Sequence, residues 1–405
     1  MNKLLGLFLF FFSIIGCSLD KKSGLWTKKE KIENDKKLVV VELFKENKNF
    51  ENELNTNVRI QIKSEFSKKN FLNNLSNNNG RINYNGNLKN ISKYKFSKID
   101  NFKKLEPELV FDKNNLIFFD NKGSIIKFDQ FSKLIWKKNY YKKREKKLNP
   151  ILNIVSHENY LIVTDSFAKY YLIDIKSGNL LWMKRNIAPF NSQIKVYKDN
   201  FFVTDFLNIL RCYSIKTGEE LWNIKTDNSF VKSQKKLSLV ISDGIVFFSN
   251  SLGDISAVDI NKGKLLWQTP TQASSIYESS FQLKTSDLVI ANNSILFSNN
   301  INEFYSLDIK TGTLIWMQQI NSSIRPTVVD NLVFTVTEEG FLTILESDTG
   351  NIVRITNVFD RIKQKKRSKI KPVGFVIGSK NIYLTTNKGH LIIIDISKGK
   401  PILMI

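Results

Sequence analysis

The sequence predicts an all-β chain, a single β-propeller of four-stranded blades, and three observations carry that prediction. First, one pattern recurs: a strand, a tight Gly-containing turn and a second strand closed by tryptophan. It reads Tyr-Ser-Leu-Asp-Ile-Lys-Thr-Gly-Thr-Leu-Ile-Trp at 305–316, with cognates at 171–182, 211–222 and 256–267. Residues 126–136 hold a copy one residue shorter and without the glycine; 343–354 and 392–403 keep the turn but end in Arg354 and Leu403. Second, the closing positions 136, 182, 222, 267, 316, 354 and 403 lie 46, 40, 45, 49, 38 and 49 residues apart. Repeats of this length, built from short strands without helical runs, are the signature of propeller blades. Third, 42% hydrophobic content over 405 residues supplies a large core. A repeat array then replaces the two or three domains that length alone would suggest.

Residues 1–16 read as an export signal. Met1-Asn2-Lys3 is a short positive start and 4–15 an apolar run too short to remain as a membrane-spanning helix. Ile14-Ile15-Gly16-Cys17 resembles a bacterial lipobox, in which the cysteine thiol is diacylated and the new amino terminus acylated. Cys17 is therefore the expected lipidation site, and several acyl chains hold a protein stably, at roughly 0.8 kcal/mol per buried methylene. The first acid comes only at Asp20; lack of an acid directly after the cysteine favours the outer membrane over inner-membrane retention.

Residues 17–37 have the lysine-dense composition of a tether, interrupted by Trp26. That tryptophan reads equally as a membrane-interface anchor, a docking motif or an exposed aromatic. Residues 38–104 form an irregular N-terminal segment. Within it 38–44, 58–62 and 94–98 alternate like strands, and 70–90 is Asn/Gly-rich and loop-like. A propeller exposes sheet edges unless its ring closes, so 94–98, with 38–44, is the expected closing strand.

Residues 105–405 are the blades. Pro107, Pro150, Pro189, Pro326 and Pro372 open repeats, as suits a residue with no N–H to donate at a strand entrance. A dense apolar strand follows each opening turn, at 115–119, 159–163, 200–203, 244–248, 294–297, 331–334 and 381–384. Asp129, Asp174, Asp259, Asp308 and Asp395 share one position, where a carboxylate accepts turn N–H groups. The glycine four residues later supplies the positive φ of a tight turn. The tryptophans are expected to pack between adjacent blades with the indole N–H free to find a partner.

Net charge of +23 raises nucleic acid or an anionic membrane as partner. The lysines sit mainly in turns, and no nucleic acid is expected behind an export signal. The basic run 361–369 is an inter-blade loop, either a solvated loop or a contact for headgroups or an acidic partner. Two cysteines and two histidines leave no material for a disulfide framework or a metal site. No catalytic residue, metal or cofactor is expected.

The Asp-x-x-x-Gly-x-x-x-Trp spacing at 174–182, 259–267 and 308–316 resembles the pyrroloquinoline-quinone-type propeller repeat; 214–222 matches except for its first residue, Ser214. With the lipobox and a divergent N-terminal segment, the chain resembles the BamB family of propeller lipoproteins. That resemblance implies an eight-bladed propeller on the periplasmic face of the outer membrane, without catalysis. It would act as a monomer within a complex, docked on the periplasmic domains of the barrel insertase and aiding nascent outer-membrane proteins. It also implies docking through inter-blade loops, here Phe230, Val231 and Lys232 in one loop and Glu278 in the next, where the family's acidic residues are otherwise missing. Two other readings compete. A quinoprotein dehydrogenase would need a Ca²⁺ site, a carboxylate base and commonly a vicinal cysteine pair. A periplasmic propeller could instead bind a cell-wall or secretion partner.

Overall fold

The apolar run after each opening turn becomes the second strand of a blade. A computed structural model describes residues 52–63, 80, 109–227, 235–271 and 283–405. Its strands form seven four-stranded antiparallel meanders in sequence order: blade 1 at 110–139, blade 2 at 152–185, blade 3 at 195–225, blade 4 at 239–269, blade 5 at 289–318, blade 6 at 327–357 and blade 7 at 372–404. The all-β propeller prediction holds. The expected closing strands, 38–44 and 94–98, and Pro107 and Trp26, lie outside the described residues.

The second and third strands of blades 1–6 are almost wholly buried, and the outer strands mostly exposed. The buried side chains group into six clusters, one for each junction between consecutive blades. Cohesion is therefore between nearest neighbours, as in other repeat proteins. At the blade 2–blade 3 junction, for example, Tyr170 sits between Phe190 and Tyr213, with ring centroids 5.9 and 4.6 Å away.

The repeated motif is the device that joins blades. In all seven, the third and outer strands slip register by one residue immediately before the closing position. In six blades the skipped residue (Ile135, Leu181, Leu221, Leu266, Ile315 or Ile402) stays exposed, and in blade 6 it is the half-buried Val353. A bulge redirects the residue beside it, and here that residue reaches the next blade. The indole N–H of Trp136 donates to the Ile175 carbonyl at 3.3 Å, Trp182 to Ile215 at 3.0 Å and Trp222 to Ile260 at 3.0 Å. Trp267 donates to Ile309 at 3.2 Å and Trp316 to Ser347 at 2.9 Å. The expected packing role is thus observed, and the partner is always the carbonyl just past the turn aspartate position of the following blade.

The turn itself also matches expectation. Asp308 accepts the Lys310 and Thr311 N–H groups at 2.9 and 2.8 Å, and Asp129, Asp174, Asp259 and Asp395 do the same locally. The glycines do more than supply positive φ. A Cβ on Gly350 would lie 2.5 Å from the Trp316 ring, and one on Gly263 would lie 2.6 Å from Trp222. Gly178, Gly218, Gly263, Gly312 and Gly350 are each the seat for the preceding blade's tryptophan, and Gly399 for Arg354. In the shortened first copy Ser132 takes the left-handed conformation (φ 66°) in place of glycine.

One strand expectation is corrected. Residues 58–62 alternate but form no strand; Ile60 alone is buried, its N–H donating to the Ser397 carbonyl at 3.1 Å. Pairing occurs earlier, where Leu54 forms an antiparallel bridge with Ile355 on the free edge of blade 6. The segment meets a turn of blade 7 after that, which offers carbonyls but no strand edge.

Candidate interaction surface

In an antiparallel meander the second-to-third-strand hairpins share one end with the blade-to-blade connections. The first-to-second hairpins and the Asp-Gly turns share the other. On the connection side each hairpin is closed by a side chain at the end of the second strand. Asp120, Asp165, Asp205, Asn250 and Asn299 each accept two hairpin N–H groups. This second repeated position was missed because Asp, Asn and Thr alternate there; a turn-capping residue after each apolar strand was the available signal.

Several of these side chains sit in buried polar clusters that merit a chemical test. The Tyr141 hydroxyl donates to Asp165 at 2.5 Å and lies 3.3 Å from the Tyr171 hydroxyl. Burial pushes Asp165 above its ordinary value despite the Tyr141 and backbone donors, and burial also raises both tyrosines. Arg211 bridges Asp205 at 2.8 Å and Glu220 at 2.6 Å. Burial raises Asp254 too, against its Asn250 hydrogen bond. The hydrogen bonds and ion pairs of these clusters are made to protein groups, and burial keeps both tyrosines in the neutral phenol form. The clusters hold hairpins to blades.

The residues singled out by sequence fall as follows. Cys17, Phe230, Val231, Lys232 and Glu278 lie outside the described residues. The stems of their loops are held: Asn208 donates to the Asp227 carbonyl at 2.7 Å, Lys235 to the Ser323 carbonyl at 2.6 Å, and Tyr305 to the Thr271 carbonyl at 3.2 Å. Both loops leave from the connection side. His157 belongs to a first-to-second hairpin and His390 to a second-to-third hairpin, so the two histidines stand at opposite ends of their blades. Cys212 is a free, buried thiol that burial pushes up to about 12, the reverse of an activated cysteine.

Arg354 replaces tryptophan at the closing position of blade 6, is fully buried, and serves three carbonyls. It donates to Ile396 at 2.8 Å, to Ser397, and to Val58 at 2.9 Å. Burial lowers its pKa. It thereby keeps the blade-to-blade bond and adds a hold on the N-terminal segment.

Among the described residues no three His, Cys, Asp or Glu side chains converge as a metal site. No described helix is long and apolar enough to cross a membrane.

The fold and its joints define a β-propeller of the pyrroloquinoline-quinone-like repeat class. The profile of the family described as outer membrane protein assembly factor BamB matches residues 98–356, and the chain belongs to that family. No curated protein matches the sequence. Among solved structures it is similar to BamB from Moraxella catarrhalis, at 13% identity and TM-score 0.59, covering 75% of this chain and 88% of that one. It is also similar to the computationally designed Ika8 protein (15%, TM-score 0.57, covering 74% and 88%). Quinohemoprotein alcohol dehydrogenase from Comamonas testosteroni shares the fold as well (10%, TM-score 0.54, covering 72% and 65%). At these identities the structural likenesses speak to fold alone.

Proposed function

We propose that the chain is a non-enzymatic scaffold lipoprotein of the β-barrel assembly machinery, aiding delivery and insertion of outer-membrane β-barrel proteins. The family match across 98–356 carries this reading. The architecture supports it, because the repeated Asp, Gly and Trp residues are consumed in turns and joints, leaving the loops as the variable surface. In this reading Cys17 carries the lipid and 17–37 is the tether. Residues 38–104 serve the ring, and the protein lies on the periplasmic face of the outer membrane. Phe230, Val231, Lys232 and Glu278 meet the periplasmic domains of the barrel insertase, with nascent outer-membrane proteins as passing partners. No cofactor is required. Affinity purification from solubilised envelopes is expected to recover the insertase. Recovery of only cell-wall or secretion components would overturn the reading, and stoichiometric quinone and Ca²⁺ in the purified protein would replace it with the dehydrogenase.

A further inference from the structure

Two blade-to-blade connections, far apart in sequence, are built alike. The connection from blade 1 reads Asn-Tyr-Tyr-Lys-Lys-Arg-Glu-Lys-Lys-Leu-Asn-Pro at 139–150. The one from blade 6 reads Asn-Val-Phe-Asp-Arg-Ile-Lys-Gln-Lys-Lys-Arg-Ser-Lys-Ile-Lys-Pro at 357–372. In each, the leading asparagine accepts the N–H of an aromatic two residues on: Asn139 from Tyr141 at 3.0 Å, Asn357 from Phe359 at 2.8 Å. In each, that buried aromatic lies on a hairpin glycine, where a Cβ on Gly123 would meet Tyr141 at 2.5 Å and one on Gly340 would meet Phe359 at 2.2 Å. Each then makes a single helical turn, α1 at Lys143–Lys146 and α2 at Gln364–Arg367, and returns through a buried residue, Pro150 or Ile370. Neither turn buries any residue of its own.

These loops are therefore pinned platforms that present cations. The first holds five cations and one carboxylate, the second seven and one. Glu145 is engaged by Lys169 at 2.6 Å, and Lys371 is spent on Glu338. Lys142, Lys143, Arg144 and Lys147 stay exposed on the first platform, and Lys363, Lys365, Lys366 and Lys369 on the second. Apolar side chains stand beside the first: Leu148 is 70% exposed, and Ile187, in the next connection, is 87% exposed. The two connections adjoin, since Arg185 approaches Glu145 at 3.9 Å. The opposite end of the blades differs. There exposed Glu158, Asp199, Asp243 and Asp330 offset the lysines of the outer turns.

The N-terminal segment meets the described structure on the same side. The Asn357 N–H donates to the Glu53 carboxylate at 2.9 Å, at the foot of the second platform.

We propose that the connection face, through the platforms at 142–147 and 361–369 with Leu148 and Ile187, docks on a membrane surface bearing anionic phosphate headgroups. Clustered cations are attracted by an anionic lipid surface, and exposed aliphatic tips enter the headgroup boundary. Rigid mounting matters, because a loop backbone already held in place loses little freedom on binding. The proposal stands apart from the identity of the protein partner.

The test is binding of the full chain to vesicles of phosphatidylcholine alone and of phosphatidylcholine mixed with phosphatidylglycerol, at low and high salt. Any contribution of the apolar leader or an acyl group is common to both compositions. Preference for the anionic vesicles is expected, falling at high salt as the charges are screened. Neutralising Lys363, Lys365, Lys366 and Lys369 to Gln should reduce that preference roughly several-hundredfold, at about fivefold per cation. Leu148→Ser with Ile187→Ser should weaken binding while leaving its salt dependence unchanged. The same charge loss at Lys176, Lys216, Lys262 and Lys310, on the opposite face, should leave binding intact. Equal binding to both compositions would overturn the proposal, as would equal loss from the opposite-face variant. Composition-independent vesicle binding together with capture of an acidic protein by the platforms would reassign the face to a protein partner.

Discussion

Substituting Gly350 by alanine isolates what the motif glycine does. Gly350 has φ +72°, and a Cβ there would stand 2.5, 2.7 and 2.9 Å from three carbons of the Trp316 indole. Two costs add. A left-handed alanine costs about 1–2 kcal/mol, and forcing a methyl into a filled contact costs about 1–3 kcal/mol. The total is about 2–5 kcal/mol. Gly244 is the internal control, with φ +74° and nothing within 4 Å of a Cβ. Gly244→Ala should cost only the backbone share, less the roughly 0.4–1 kcal/mol that alanine recovers by restricting the unfolded chain. Guanidinium denaturation followed by circular dichroism gives both values. Removing the obstacle closes the argument: in a Trp316→Ala background, itself destabilised by about 3–5 kcal/mol, Gly350→Ala should cost no more than Gly244→Ala. The coupling between the two sites is then about 1–3 kcal/mol. Equal losses for the two glycine variants in the wild-type background would show that the glycine serves φ alone, and the seat explanation would fall.

Other consequences follow from the same joints. Arg354→Ala strands three carbonyls and is expected to destabilise by about 3–5 kcal/mol; Arg354→Trp, which restores a donor for Ile396 but not for Val58, should cost less. Both should raise amide exchange at 52–63, and unchanged exchange there would show that Arg354 does not hold the segment. Side-chain and backbone donors at Ser177 depress Asp174, and those at Thr311 depress Asp308, below the ordinary 3.8. Because the folded value is the lower one, their stabilisation is fully present above 3.8 and lost as pH falls from there through the depressed folded value. Asp308→Asn should accordingly flatten the acid limb of the stability–pH curve, and an unchanged limb would place the acid sensitivity elsewhere. Asp165 has the opposite sign. Its raised folded value means its ionisation works against the fold as pH rises through that value, and Tyr141→Phe, which removes a donor to the carboxylate, should deepen the loss at neutral pH by about 1–2 kcal/mol.

The blade array was legible because its signal is local. Strand, turn and closing residue lie within twelve positions, and the second strands were located to within about a residue or two at each end. What stayed hidden acts across blades. The Trp136 indole finds a carbonyl 39 residues away, and Gly263 is shaped by a tryptophan from the blade before. Sequence supplied the glycine's φ requirement but not its second constraint. Arg354 looked like a lapse in the motif; only the positions of Ile396, Ser397 and Val58 show it keeping the joint and adding a function. The basic loops were half visible. Residues 361–369 stood out as a charge run, yet the shared Asn-x-aromatic opening and closing proline of 139–150 and 357–372 show its meaning only when Gly123 and Gly340 are seen beneath the rings.

One strand brings these features together. The outer strand of blade 6, Ile352–Asn357, carries Arg354 in its middle, pairs Ile355 with Leu54, and ends at Asn357, whose N–H holds Glu53 and whose side chain starts the second basic platform. In blades 1–5 the corresponding strand joins one blade to the next through its tryptophan, and only that of blade 1 likewise ends in an asparagine that starts a basic platform. Here the joint was altered, and each alteration serves the segment arriving from the N terminus or the face from which it arrives. A guanidinium brings more donors into this buried site than an indole does: its terminal nitrogens serve Ile396, Ser397 and also Val58, while the Nε–H stays without a hydrogen-bond partner, a cost the joint bears. Blade 6 is thus where a repeating scaffold becomes a particular protein: its chain is gripped at the foot of its most basic loop.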